Sequence, residues 1–411
     1  MPNSPTASLP AKEFEANAPA PLDGIRVLDL SRLVSGNMVT MQLADFGAEV
    51  IKVERPGHGD DLRNWRVEGH SVHFKQYCRN KLSVTLDPRG PEGKEVLLKL
   101  VETAHVLVEN FRPGTLEKWG LGVDVLHACN NKLVIVRVSG WGQTGPKRDE
   151  PGYGSLIEGR SGFASMNGFP DRPPLLPPLA LADMVAGIQG AYAVMVALRA
   201  VEVSKQPGQV VDISLFEPLH STLGPHAAIY HLTGKTPTRT GNRSETTAPR
   251  NAYLCKDGKY VALSASMQAM AERLFKAIGR PELVDDPRFK TNADRVANND
   301  ELDPIIAEFM ASRTQAELVE FFTERAITVG PIYNVDDLVE DEFVLAREIL
   351  CNYPDADMGT MPMTGIAAHL DATPGRIRRP APALGEHNEE VFGGIGLDAE
   401  ALAKLREDNV I

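Results

Sequence analysis

Apolar positions along this 411-residue chain fall into two periods, one of strands and one of helices. Ile25-Arg-Val-Leu-Asp-Leu30 and Ala48-Glu-Val-Ile-Lys-Val53 are short apolar runs of strand length. Between them a loop, Ser31 to Gly36, leads into an amphipathic stretch, Asn37 to Phe46, that stops at Gly47. Strand, helix and strand at that spacing form a βαβ unit, which predicts parallel sheet. The pattern continues with a helix from about Pro91 to Thr103 and a buried strand, Val106-Leu-Val-Glu-Asn110. Phe111-Arg-Pro-Gly114 turns into a short helix, and Leu133 to Val138 is another apolar strand. Gln206-Pro-Gly-Gln209 reads as a turn and Val210 to Ser214 as a strand.

The longest apolar run, Met184 to Val201, is broken only by Gln189 and Arg199, and predicts a helix packed closely on several sides. Its length approaches a membrane span, but those two polar residues and the many small ones favour a buried helix of a soluble protein. Asp183 stands at its N-terminus. Local chemistry leaves two roles open. The carboxylate can cap backbone N–H groups, or it can act as a nucleophile that needs no base, with helix N–H groups stabilising charge that develops on a carbonyl.

From about His220 the texture changes. Gly234 to Arg250, rich in Thr, Gly, Arg and Pro, reads as a long mobile loop. Asn251 to Leu254, a turn at Lys256-Asp-Gly258 and the strand Lys259 to Leu263 follow, then helices Gln268 to Ile278 and Glu301 to Thr323. Gly330-Pro-Ile-Tyr-Asn334 returns to an extended path, ahead of helices around Asp336 to Ile349 and Asp398 to Glu407. The expected organisation is a disordered tail over residues 1–20, a large α/β domain with parallel sheet from 21–220 and 331–411, and a smaller α+β domain from 221–330.

A net charge of -12 and a pI near 5.4 argue against nucleic-acid binding and against adhesion to anionic membranes. Cys78, Cys129, Cys255 and Cys351 lie far apart with no C-x-x-C pair, which fits reduced thiols in the cytoplasm and suggests no metal site. The first twenty residues have neither the apolar segment of a secretion signal nor the character of a transit peptide. The loop after the first strand lacks G-x-G-x-x-G. A formal match, Gly140-Trp-Gly-Gln-Thr-Gly145, runs into Pro146-Lys-Arg-Asp-Glu-Pro151, which cannot open a pyrophosphate-binding helix. No P-loop is present either. Against this acidic background Arg55, Arg63, Arg66, Lys75, Arg79, Lys81 and Arg89 form a local excess of cations able to receive phosphates.

Several blocks, in order from Pro21 to about Ile349, carry a resemblance: Pro21-Leu-Asp-Gly-Ile-Arg-Val-Leu-Asp-Leu30, Leu43-Ala-Asp-Phe-Gly-Ala-Glu-Val-Ile-Lys-Val-Glu54, Arg79-Asn-Lys-Leu-Ser-Val-Thr-Leu-Asp87, Val108-Glu-Asn-Phe-Arg-Pro-Gly114, Ser139-Gly-Trp-Gly-Gln-Thr-Gly-Pro146 and Arg239-Thr-Gly-Asn242. The chain resembles the class III coenzyme A transferases, such as formyl-CoA and carnitine CoA-transferases. The resemblance implies that Asp183 is the nucleophile. Through a mixed anhydride and then an aspartyl-CoA thioester, it would move CoA from an acyl-CoA donor to a carboxylic acid, with CoA as co-substrate and no tightly bound cofactor. It implies CoA contacts at Val34, Ser35, Arg55, Leu86, Asp87, Pro88, Arg89, Asn110, Phe111, Arg112 and Lys118, and substrate contacts at Asn242 and Arg243. It also implies a Rossmann-like large domain and an interlocked homodimer. The 234–250 loop lacks the glycine run of formyl-CoA transferases, so a dicarboxylate pair with succinyl-CoA as donor is the expectation, with Arg239, Arg243 and Arg250 available for a distal carboxylate. An α-methylacyl-CoA racemase shares the fold but needs a His shortly before the tyrosine matching Tyr153; Asp149-Glu-Pro-Gly-Tyr153 has none. A catalytically silent partner subunit is the third alternative, and the retained Asp183 argues against it.

Overall fold

The structure, a computed structural model, describes residues 4–411. The chain forms two compact units. The larger comprises the chain up to Phe163, Pro177–Gly224 and Val339–Ile411; the smaller comprises Ala164–Leu176 and Pro225–Leu338. Residues 164–176, placed by sequence in the large domain, thus group with the smaller unit. Within it the Gly241 N–H donates to Gly168 O at 2.9 Å and Arg239 Nε to Phe169 O at 3.2 Å.

The larger unit is built on six parallel strands: β1 (Arg26–Asp29), β2 (Glu49–Glu54), β3 (Lys81–Thr85), β4 (Val106–Glu109), β5 (Val134–Ser139) and β6 (Val210–Ser214). Their order across the sheet is β3-β2-β1-β4-β5-β6. That is the doubly wound Rossmann order, with a topological switch point between β1 and β4. Successive side chains point to opposite faces, so the central strands β1, β2, β4 and β5 feed two cores. Leu28, Ile51, Leu82, Leu107 and Ile135 pack on one face with the helix Pro91–Glu102. Val27, Val50, Val106, Val134 and Val136 pack on the other, beneath the helices Ser35–Asp45 and Leu181–Glu202. Burial on both faces explains why the strands read as continuous apolar runs.

The 22-residue helix Leu181–Glu202 is long and apolar enough, by composition, to cross a membrane. In the fold it lies against Ser35–Asp45, and Gly187 permits the close approach: a Cβ there would meet the Met38 side chain at 2.5 Å. Sequence predicted close packing on several sides. Within this chain, however, Ile188, Tyr192, Met195 and Val196 remain exposed along one apolar face.

Among the elements not legible in the sequence are β3, a short helix Asn388–Gly393, and the antiparallel hairpin β10 (Leu350–Asp355) and β11 (Gly359–Thr364). The expected tail is ordered in its described part. Leu9 is buried, Ala11 bridges Asn352, and the Lys12 N–H donates to Asn352 O at 2.8 Å. Residues 1–3 of that stretch lie outside the described residues. Short apolar contacts and main-chain pairing to β10 hold what composition alone marks as loose.

The smaller unit carries the antiparallel strands β7 (Arg250–Leu254), β8 (Tyr260–Ser264) and β9 (Val329–Ile332). They pack with the helices Gln268–Ala277, Asn299–Ala311 and Gln315–Thr323 around Phe275, Phe289, Ile306 and Phe322. The single helix expected over Glu301 to Thr323 is two. Thr314 caps the second through a reciprocal capping box with Glu317.

Candidate active site

Beyond the carboxyl ends of β1 and β4 the chain diverges on both sides of the switch point, and two loops frame a crevice. Asn110 ties them together. Its Oδ1 accepts the Arg32 N–H at 2.8 Å and its Nδ2 donates to Arg32 O at 2.7 Å. Leu33 takes a left-handed backbone (φ 60°), uncommon for a residue with a branched side chain. Asp60 Oδ1 accepts its N–H at 3.0 Å and so supports the strained turn.

A fully buried ionic cluster lies beneath this loop. Lys52 Nζ reaches Asp60 Oδ2 at 2.9 Å and the Ser31 carbonyl at 2.9 Å, while Lys81 Nζ reaches Asp29 Oδ2 at 3.0 Å and Asn37 Oδ1 at 2.8 Å. Burial opposes the charged form of Asp29, but Lys52 and Lys81, with the hydroxyls of Ser31 and Thr40, hold its carboxyl down at about 2. Burial likewise opposes the charge of Lys52, yet Asp29 and Asp60 keep it above the usual lysine range. Paired buried charges of this kind add little net stability, but they fix geometry, because removing either partner strands the other.

The cationic segment seen in sequence is not one patch. Arg63 binds Glu54 at 2.7 Å, Lys75 binds Asp355 at 2.6 Å, and Arg79 binds Asp45 at 2.7 Å inside the core; Lys81 belongs to the cluster above. Arg66 bonds to the main chain of Arg63 and Gly69. Arg55 and Arg89 are left facing a cleft of about 470 Å³, where Arg89 pairs with Asp87 at 2.5 Å.

Of the residues assigned to CoA by resemblance, Arg55, Leu86, Asp87, Pro88, Arg89, Phe111 and Arg112 line that cleft. The Leu86 side chain belongs to the core, where its 2 % exposure leaves little to offer a ligand. Val34 is buried with Leu62, Phe74 and Cys78, away from the cleft lining. Lys118 is exposed and lines neither this cleft nor its neighbour. Arg32, His58 and Trp119 also line the cleft and were not singled out from sequence. The only advance sign of Arg32 was its place in the first βα loop.

A second cavity of about 170 Å³ adjoins the first, sharing Arg32, Phe111 and Arg112, and contains Asp183 together with Ser35, Asn110, Arg148 and Tyr153. Asp183 is not the N-cap. Ala180 holds that position without a side-chain cap, and Asp183 is the third helical residue. Ser35 lines the same recess, and its hydroxyl and main-chain N–H are among the groups that favour the charged carboxylate. Gly154 lies directly against it, since a Cβ at that position would sit 2.6 Å from Asp183 Oδ2. Burial, and then the charge of Glu158, push the Asp183 carboxyl up to about 6, against the pull of hydrogen bonds from Ser35 and its own N–H. At neutral pH it is an anion that is poorly solvated, and its environment favours loss of the charge.

In the smaller unit Arg243 forks between Asp300 and Asp303, each at 2.5 Å, and Asn242 is exposed. The loop 234–250 is also held by Thr238 donating to Glu245. Among the described residues no group of three or more His, Cys, Asp or Glu side chains is arranged to hold a metal ion.

A doubly wound sheet whose switch-point cleft opens onto a recessed carboxylate suits an enzyme that holds a nucleotide-bearing thioester and brings its acyl carbon to a nucleophile. Comparison with known proteins makes the class specific. Residues 22–388 match the model of CoA-transferase family III, and the chain belongs to that family. It is 41% identical over 397 residues to a succinyl-CoA:D-citramalate CoA-transferase of Chloroflexus aurantiacus, covering 96% of this chain and 98% of that one. It is 34% identical to a succinate:glutarate CoA-transferase of Agrobacterium fabrum, covering 92% and 96%. A crystal structure of a CAIB/BAIF family protein from Brucella suis matches with TM-score 0.81 and 32% identity over 92% of this chain and 99% of that one. The protein is an enzyme, a transferase that uses CoA thioesters as co-substrates.

Proposed function

We propose that the enzyme moves CoA between dicarboxylic acids, with succinyl-CoA as donor, through an aspartyl-CoA thioester on Asp183. One observation carries the assignment of the nucleophile: the Asp183 carboxylate lines a recess that shares Arg32, Phe111 and Arg112 with the larger cleft. A thioester whose nucleotide occupies the cleft then has its acyl group within the recess.

Asp183 attacks the thioester carbonyl; a C–O bond forms, the C–S bond breaks, and CoA leaves as thiolate. The thiolate attacks the aspartyl carbonyl of the mixed anhydride, and the first acid departs as carboxylate. The acceptor carboxylate then displaces CoA thiolate from the aspartyl thioester, forming a second anhydride. Attack of the thiolate on the acceptor acyl carbon releases the new acyl-CoA and restores Asp183. Thioester energy is conserved at each exchange.

The dicarboxylate preference is supported by the names of the relatives, which act on citramalate or glutarate with succinyl-CoA or succinate. It is also supported by Arg32, Arg112 and Arg148 around the recess, which can pair with a distal carboxylate. Arg243, the earlier candidate, is already engaged by two aspartates. The recess lining contains no His, so the proton-transfer partner a racemase needs is missing there. A homodimer is supported by the exposed apolar face Ile188, Tyr192, Met195 and Val196, which a second copy would cover.

The test is purified enzyme offered succinyl-CoA with a panel of dicarboxylic and monocarboxylic acids, read by mass spectrometry, with hydroxylamine trapping during turnover. A labile adduct on Asp183 and transfer restricted to dicarboxylates are expected. Transfer by Asp183→Asn at the wild-type rate would overturn the mechanism, and preference for neutral acyl groups would overturn the substrate class.

A further inference from the structure

We infer that Glu158 is a positioning residue for the transfer: a second carboxylate that docks the head of the long helix and keeps a negative charge beside Asp183, favouring its conversion into an uncharged acyl derivative. The inference rests on Asp183 being the nucleophile.

Glu158 lies on the helix Gly154–Arg160 and is 2 % exposed. Its Oε1 accepts the Ala182 N–H at 3.2 Å. The helix Leu181–Glu202 has no side-chain cap of its own, so Glu158 satisfies one of its free N–H groups from a neighbouring element. Capping by itself does not call for a charge, because a glutamine amide oxygen would accept the same hydrogen. What the charge adds follows from its surroundings. A Cβ built on Gly154 would lie 2.6 Å from Asp183 Oδ2 and 3.7 Å from Glu158 Oε1, so both carboxylates border the same small space. Glu158 is not itself in the recess lining; the charged or titratable groups that line it with Asp183 are Arg32 after β1, Arg112 after β4, and Arg148, Glu150 and Tyr153 after β5. The charge of Glu158 raises the Asp183 carboxyl after burial has done so.

Like charges in a poorly solvated site repel. When Asp183 forms its C–O bond to the acyl carbon, its negative charge passes to the departing CoA sulfur, and the repulsion from Glu158 ends. The aspartyl thioester is uncharged at the same position. Glu158 therefore raises the free carboxylate relative to both covalent states and makes it a more basic nucleophile.

Wild type, Glu158→Gln, Glu158→Asp and Glu158→Ala separate this from capping alone. The measurements are the pH dependence of kcat/KM, the fraction of enzyme carrying a hydroxylamine-labile adduct when mixed with acyl-CoA alone, and thermal stability. Glu158→Gln is expected to keep wild-type stability while its acid limb moves to lower pH and its adduct fraction and kcat fall severalfold. Glu158→Asp, which retains the charge, is expected to keep the wild-type acid limb, and Glu158→Ala to lose stability as well. A wild-type adduct together with an unaltered pH profile and adduct fraction in Glu158→Gln would overturn this inference alone. Transfer by wild type without any adduct would overturn the assignment of Asp183 and this inference with it.

Discussion

Asn110 clasps the peptide of Arg32 from both sides, accepting its N–H at 2.8 Å and donating to its C=O at 2.7 Å. The loops on the two sides of the switch point are therefore one mechanical unit, and Ser35, 3.4 Å from Asn110 Nδ2, belongs to it. Asn110→Ala should cost about 1–2 kcal/mol in urea denaturation. It should raise KM for acyl-CoA more than it lowers kcat, since the loops that frame the cleft lose their register. An unchanged KM would mean that the clasp is structural only.

Asp183→Asn should inactivate the enzyme and stabilise it. The folded-state carboxyl is pushed up to about 6 from an ordinary value of 3.8, so at neutral pH the charge opposes folding. The gain should be about 1–2 kcal/mol above pH 7, allowing for partial solvent access. It should shrink as the pH falls through about 6 and vanish below the unfolded value near 4. Denaturation of both proteins across that range tests the sign directly.

With Asp183 as the proposed nucleophile, the same shift should set the acid limb of activity. Protonation of Asp183 removes the nucleophile, so kcat/KM should fall about tenfold per pH unit below about 6. Steady-state rates in buffers of constant ionic strength measure it.

Gly154→Ala places a methyl group 2.6 Å from Asp183 Oδ2, a distance that forces the carboxylate or the helix Gly154–Arg160 to move. A loss of about tenfold to a hundredfold in kcat is expected from a misplaced nucleophile. The circular dichroism spectrum should stay as in wild type.

Lys52→Met should be far more disruptive than its distance from the Asp183 recess suggests. It leaves Asp29 and Asp60 buried and short of a cation, at about 3–5 kcal/mol. In wild type the depressed Asp29 carboxyl contributes stability that is full above its ordinary range and lost as the pH falls through about 2. Acid titration of the variant should show that contribution reduced.

Sequence pattern revealed the parallel strands where both faces are apolar, as in Val27 to Leu30 or Val134 to Val138. It missed β3, whose Lys81 and Ser83 are polar yet buried, because their partners Asp29, Asn37 and Glu54 come from other elements. The β10–β11 hairpin was obscured by Pro354 and Pro362, which interrupt a strand signal. The break between Ala311 and Gln315 was written locally in Thr314 and Glu317, a capping signature inside an otherwise apolar periodicity. At the site, resemblance brought Asp183 and much of the cleft into view. Glu158, Gly154 and Arg32 needed the fold, because nothing in a local window says which carboxylate, void or guanidinium will face residue 183.

The outer margin of β3 has a further consequence. Ser83 exchanges main-chain and ring bonds with His387, and Thr85 N–H and Oγ1 meet the Asn388 amide at 2.9 and 2.8 Å, so residues near the C-terminus occupy the row where another strand would add. A chain lacking His387 and Asn388 would leave that row unpaired and open to another strand. Its yield as soluble protein thus depends on residues remote from any substrate.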